Sequence, residues 1–192
     1  MKLILASASP RRYDLLNKAG VDPELRVTDT DETMVIPMSP SLTVRTLALR
    51  KCMAARKISG DDEYVLAADT AVACNGEILG KPEDEADARR MLRMLSGSRH
   101  SVLTGCAVAC GSRCVTGVCE TVVKFRELED HEIEAYIASG EPYGKAGAYA
   151  IQEHGDGFVE YIDGPWDNVV GLSLDTVRAL LSELGVSLED FE

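Results

Sequence analysis

The chain of 192 residues lacks an apolar run near the ~20 residues that a membrane-spanning helix needs, and it does not begin with the basic, apolar, small-residue pattern of a secretory leader. A soluble, cytoplasmic protein is expected. Cations are scarce, with 20 Lys and Arg against 32 Asp and Glu and a net charge of −12. A non-specific grip on DNA or RNA rests on many exposed cations that displace counterions, so duplex nucleic acid is not an expected partner. The three histidines, His100, His131 and His154, are scattered without a metal-binding spacing, no serine sits in a nucleophile elbow, and Gly76 to Lys81 falls short of a phosphate-loop pattern. Acyl transfer and P-loop hydrolysis are therefore unsupported. Repeats, low-complexity tracts and linkers are also missing, so residues 1–192 read as a single domain, long enough to remove roughly 70% of its unfolded surface from water.

Six cysteines lie in apolar stretches, and Cys106, Cys110, Cys114 and Cys119 lack the short two-residue knuckles of a structural zinc site. Reduced, buried thiols are the expectation.

Leu3 to Ala6 reads as a strand that turns through Ser7-Ala8-Ser9 into a helix opened by Pro10, with Ser9 as its N-cap and Gly20 as its stop. Two hydroxyls and two guanidiniums, Arg11 and Arg12, then gather at the positive end of a helix dipole. Such a cluster suits an anion such as phosphate, although paired arginines in a first turn are also an ordinary solvated face. Leu42 to Ile58 has helical spacing, and Tyr64 to Ala68 is a short buried strand ending at Asp69-Thr70. Asn75-Gly76 joins Ala71–Cys74 to Glu77–Leu79 as a hairpin, Asp84 to Leu95 is a helix, and His100–Cys110 with Cys114–Phe125 alternate as two long antiparallel strands. A helix over Glu129–Ala138, strands at Gly147–Ile151 and Phe158–Ile162, and a final helix over Leu174–Leu184 complete the pattern. It describes an α/β protein with a mixed sheet, arranged as two lobes around a central cleft.

Asp69, at a strand's C-terminal edge, faces the region where open α/β sheets place ligands and is a candidate general base, though a turn cap fits the same spacing. Thr70 offers a hydroxyl to a base edge or a metal-bound water. Lys81, on the stiff Gly80-Lys81-Pro82 loop, suits a point cation aimed at phosphate, and it could equally be a surface lysine. Glu32, after Asp29 and Asp31, is a carboxylate of the kind that holds Mg²⁺ or Mn²⁺ while phosphates fill the remaining positions, or simply part of a solvated loop. Lys51, inside the second helix, is equally ambiguous.

Taken in order, Ala6-Ser7-Ala8-Ser9-Pro10-Arg11-Arg12, Asp31-Glu32-Thr33, Ala68-Asp69-Thr70, Gly80-Lys81-Pro82, Leu95-Ser96-Gly97, His100-Ser101-Val102, Thr104-Gly105 and Lys145 to Gln152 resemble the Maf family of nucleoside triphosphate pyrophosphatases. The resemblance runs from Leu3 to about Leu174. It implies a Maf/inosine-triphosphatase-like fold and hydrolysis of a nucleoside triphosphate to monophosphate and pyrophosphate with a divalent metal cation, Mg²⁺ or Mn²⁺. It also implies Asp69 as proton acceptor, Ser7, Arg12, Lys51 and Lys81 as phosphate-binding groups, Glu32 with Asp69 at the metal, and a homodimer. Arg11, Thr70 and Gln152 together resemble the branch acting on dTTP and UTP. A branch acting on 7-methyl-GTP and a nucleotide-binding regulator of cell division are the alternatives that the resemblance carries. Glu153 stands where the family usually has glycine, and Gly164 to Asn168 and Ser173 also depart from the common forms.

Overall fold

The computed structural model describes residues 1–34 and 36–191. Strands β1 (Leu3–Leu5), β2 (Glu24–Leu25), β3 (Tyr64–Cys74), β4 (Glu77–Leu79), β5 (Arg99–Cys110), β6 (Arg113–Phe125) and β7 (Val159–Asp163) form one mixed sheet. Its order is β2-β1-β3-β5-β6-β7, with β4 paired to β3. β1 runs parallel to β2 and β3, whereas β3–β4 and β6–β7 are antiparallel. The helices are α1 (Pro10–Lys18), α2 (Pro40–Arg56), α3 (Glu85–Leu95), α4 (Asp130–Ala138), α5 (Trp166–Val170) and α6 (Leu174–Leu184). The chain divides into two compact units, one of Met1–Thr70, Thr104–Cys119 and Gly171–Glu192 and the other of Ala71–Leu103 and Glu120–Val170.

In the first unit, α2 begins where Ser39 accepts a hydrogen bond from the Leu42 amide and Pro40 supplies a first-turn residue that needs no acceptor. Its buried residues Val44, Leu47, Ala48, Cys52 and Ala55 keep helical spacing. Ala48, Cys52 and Ala55 pack with Ile4, Ala6, Val65, Ala67, Ala107 and Ala109 in one fully buried cluster. So many alanines let the helix lie close to the strands. Gly105 makes the approach closer still, because a Cβ there would fall 2.4 Å from the Val44 carbonyl oxygen.

In the second unit, Asp84 caps α3 through the Asp87 amide at 2.8 Å, and Glu129 with Glu132 forms a reciprocal capping box on α4. His100 is buried against the edges of Phe125 and Tyr149, and its Nε2 shares a 2.9 Å hydrogen bond with the Tyr149 hydroxyl. Its Nδ1 meets no hydrogen-bond partner among the described residues. Burial pushes the imidazole down to about 4, from an ordinary value near 6.5. The unfolded chain therefore takes up a proton that the folded one refuses, and stability should fall as pH drops from about 6.5 toward 4. The full effect is about 3 kcal/mol, at ~1.4 kcal/mol per pH unit. Urea denaturation at pH 7 and pH 4.5 should show this loss shrinking in His100→Gln, and an equal loss in both proteins would contradict the assignment.

Four expectations need correction. Gly147–Ile151 is not a strand, since Gly147 and Ala148 adopt left-handed backbone (φ 71° and 59°) within a 3-10 turn, Ala146–Ala148. Tyr64–Cys74 is one continuous strand, so Asp69 lies within it and not at its end. Ser9 occupies the cap position of α1 without a side-chain capping bond; the Ser7 hydroxyl instead accepts from the Ser9 amide at 3.2 Å. Only Cys52, Cys74 and Cys106 are buried; Cys110 and Cys119 are half-buried, and Cys114, just past the hairpin tip, is exposed. The Asn75-Gly76 turn has positive φ at both residues, as a primed two-residue hairpin requires.

Candidate active site

β1 pairs with β3 through Leu5 opposite Leu66, and the Ala6 amide adds a last bond to the Leu66 carbonyl at 2.8 Å. β1 stops there, and β3 continues to Asp69. The aspartate thus lies beyond the end of its parallel neighbour, which restores by another route the ligand-facing position expected of a strand end. Side chains alternate along a strand, so the face that carries Val65 and Ala67 against α2 presents Asp69 next.

On α2, Lys51 precedes the buried Cys52, and its ammonium lies 2.6 Å from Asp69 Oδ1 and 2.7 Å from Glu32 Oε1. The Lys51 and Asp69 side chains are only 18% and 14% exposed, against 56% for Glu32, so the aspartate pair is the strongly held one. Arg50 fixes the loop that brings Glu32 in, donating to the Asp31 carbonyl at 3.2 Å and the Thr33 carbonyl at 2.8 Å, on either side of it. Two carboxylates on one cation are also a donor set that fits Mg²⁺ or Mn²⁺, whose shell one or two carboxylates, substrate phosphates and water commonly fill.

A second cluster in the same unit surrounds Arg12. Its Nε donates to the Gly171 carbonyl at 2.8 Å, one terminal nitrogen donates to the Ser7 hydroxyl at 3.1 Å, and the other donates to the Thr70 hydroxyl at 3.1 Å. Burial lowers its pKa while the Asp69 carboxylate acts in the opposite direction. Thr70 in turn lies 2.9 Å from the Thr104 hydroxyl and 3.4 Å from the Gly171 carbonyl, so its own proton has partners inside the protein. The hydroxyl expected to read a base edge is engaged in orienting Arg12. Arg11 sits beside Arg12 in the first turn of α1, half-buried.

Lys81 and Gln152 belong to the second unit, and both are exposed. Their loops are joined by the Gly147 amide donating to the Gly80 carbonyl at 3.0 Å. The structure thus gathers Ser7, Arg12, Glu32, Lys51, Asp69 and Thr70 within the first unit, and links the Lys81 and Gln152 loops within the second. Arg50, Thr104 and Gly171 join these groups with no signal in the sequence beyond the Thr104-Gly105 motif.

The family model described as Maf-like protein matches residues 2–184. The chain belongs to the Maf family. A dTTP/UTP pyrophosphatase of Anaeromyxobacter dehalogenans is 48% identical to it over 191 residues, covering 97% of this chain and 96% of that protein. A dTTP/UTP pyrophosphatase of Bacillus cereus is 45% identical over 187 residues, with 97% of each chain covered. Among solved structures, the Ham1 protein of Staphylococcus aureus superposes with a TM-score of 0.55 at 16% identity, covering 100% of both chains. This last likeness concerns the fold alone. No helix among the described residues of this Maf protein is long and apolar enough to cross a membrane.

Proposed function

We propose that this Maf protein hydrolyses dTTP and UTP to the monophosphate and pyrophosphate, with a divalent cation, Mg²⁺ or Mn²⁺. The observation that carries the reading is the Lys51 ammonium held between Asp69 and Glu32 at 2.6 and 2.7 Å. The names of the relatives that match nearly the whole chain support the substrate class.

Cleavage between the α and β phosphates develops charge on a leaving pyrophosphate and needs an activated water, with little covalent chemistry from the protein. Asp69 accepts the proton of that water. Lys51, Arg12, Ser7 and Lys81 hold the phosphates, and these local cations matter more in a protein of net charge −12. Arg12 keeps two of its five N–H donors for substrate after the three bonds described above. Glu32 and Asp69 hold the metal, which when bound neutralises phosphate charge and lowers the pKa of its water.

Arg11 and Gln152 select the base directly, and Thr70 does so through the set of Arg12. A pocket built to hydrogen-bond a pyrimidine leaves its polar groups unpaired around the wrong base, at ~1–3 kcal/mol for each buried group. UTP and dTTP should therefore exceed GTP, ATP and 7-methyl-GTP in kcat/KM by about tenfold or more. Arg11→Trp, which replaces a cation by an aromatic surface able to stack on a purine, should move the UTP-to-GTP ratio toward GTP. Wild-type preference for 7-methyl-GTP, or an unmoved ratio in Arg11→Trp, would contradict this account of the pocket.

A further inference from the structure

Glu141 is a buried carboxylate that lies outside the groups assigned above. Its side chain is 5% exposed, yet no Lys or Arg is paired with it among the described residues. Four donors converge on its two oxygens. Oε1 accepts from the Tyr136 hydroxyl at 2.8 Å and the Gly155 amide at 3.2 Å, and Oε2 from the His154 amide at 3.3 Å, with His154 Nδ1 at 2.9 Å. Burial pushes the carboxyl up, but the hydrogen bonds from Tyr136, His154 and the two amides outweigh it and hold the group below the usual range.

The positions of these donors along the chain are informative. Tyr136 lies in α4, and its oxygen also accepts from the Ala150 amide at 3.2 Å. Lys145 donates to the Glu141 carbonyl, while His154 and Gly155 bind its carboxylate. Glu141 and Tyr136 thus hold residues 145 and 150 before Gln152 and residues 154 and 155 after it. The close fit around Gly155, where a Cβ would fall 2.5 Å from the Ala150 carbonyl oxygen, keeps the two arms of the segment together. Gln152 itself is exposed at the crest between these anchors.

We propose that Glu141 is a positioning residue for base selection: through Tyr136, His154 and Gly155 it holds the segment that carries Gln152 in the conformation that reads the pyrimidine. The inference rests on the dTTP/UTP reading above. A preset amide loses little freedom on binding, whereas an amide on a loosened loop must be ordered by the substrate, which weakens binding without touching the base that activates water. Loss of Glu141 therefore acts on KM and on discrimination, and leaves kcat near that of the parent.

The test is a double-mutant cycle on the UTP-to-GTP ratio of kcat/KM, with Glu141→Ala, Gln152→Ala and the double variant. Glu141→Ala should lower the ratio about tenfold, chiefly through KM for UTP, with kcat within about threefold of the parent. In the Gln152→Ala background the same substitution should have little further effect on the ratio. Glu141→Gln, which keeps one acceptor oxygen, should restore part of the selectivity. Should Glu141→Ala fail to fold, Tyr136→Phe removes the hydroxyl shared by Glu141 and Ala150 and should lower the ratio in the same direction. A ratio unchanged in Glu141→Ala or Tyr136→Phe, or effects of Glu141 and Gln152 that simply add, overturns the proposal while the pyrimidine reading stands. A wild-type protein without pyrimidine preference overturns both.

Discussion

Asp69→Asn should lower kcat by ~10²- to 10⁴-fold, the range of a general-base contribution, with any effect on metal binding added to it. The amide keeps the side chain's volume and can still meet the Lys51 ammonium with its oxygen, now without the charge that makes the 2.6 Å contact an ion pair. It accepts no proton from water and offers a metal no anionic ligand. Because β3 continues through Asp69 and its packing comes from Val65, Ala67 and the alanines of the cluster beneath α2, the variant should unfold within a few degrees of the parent. Activity within threefold of wild type, measured as pyrophosphate release from UTP, would remove Asp69 from the role of base.

Lys51→Met should be nearly as damaging, by a different route. Methionine preserves the helix and the apolar stem but leaves Asp69 and Glu32 facing each other without the cation between them. Removing the cation proposed to pair with a substrate phosphate costs ~2–5 kcal/mol of binding, as for a desolvated charge pair across an interface. At ~1.4 kcal/mol per tenfold, kcat/KM should fall roughly 30- to 4,000-fold. Titration calorimetry with a non-hydrolysable UTP analogue separates the two variants: Asp69→Asn should still bind it, and Lys51→Met should bind it at least tenfold more weakly. Equal binding by Lys51→Met and the parent would show that Lys51 does not hold phosphate.

Helices α2, α3 and α6 and the Asn75-Gly76 hairpin were legible in the sequence because local rules decide them: buried residues at helical spacing, a capping Ser or Asp, two residues with positive φ. In the sequence β3 reads as two strands because Asp69-Thr70 looks like a terminator, whereas the strand is continuous. Its continuation depends on β4, whose Leu79, Ile78 and Glu77 pair with Val72, Ala73 and Cys74. Apolar residues at Gly147–Ile151 suggested a strand, but Gly147 packs where any Cβ would meet Val72 at 2.9 Å, and the backbone turns left-handed. Tertiary packing overrode propensity there.

The candidate site divides along the same line. Residue type and motif order brought Asp69, Lys51, Glu32 and Arg12 to notice. The groups that orient them come from far along the chain: Gly171 is 159 residues from the Arg12 it holds, and Thr104 is 34 residues from Thr70. Glu141 had no local signal either, since its four donors arise only when α4 and the segment 150–155 come together. Such partners are chosen by the fold, and a single sequence read in short windows does not contain them.

The most direct test of the central claim is the product balance for UTP and dTTP with Mg²⁺ or Mn²⁺, resolved by anion-exchange chromatography and phosphorus NMR. One UMP or dTMP and one pyrophosphate should form for each triphosphate consumed, whereas release of diphosphate nucleotide and orthophosphate, or no turnover with either cation, would contradict it.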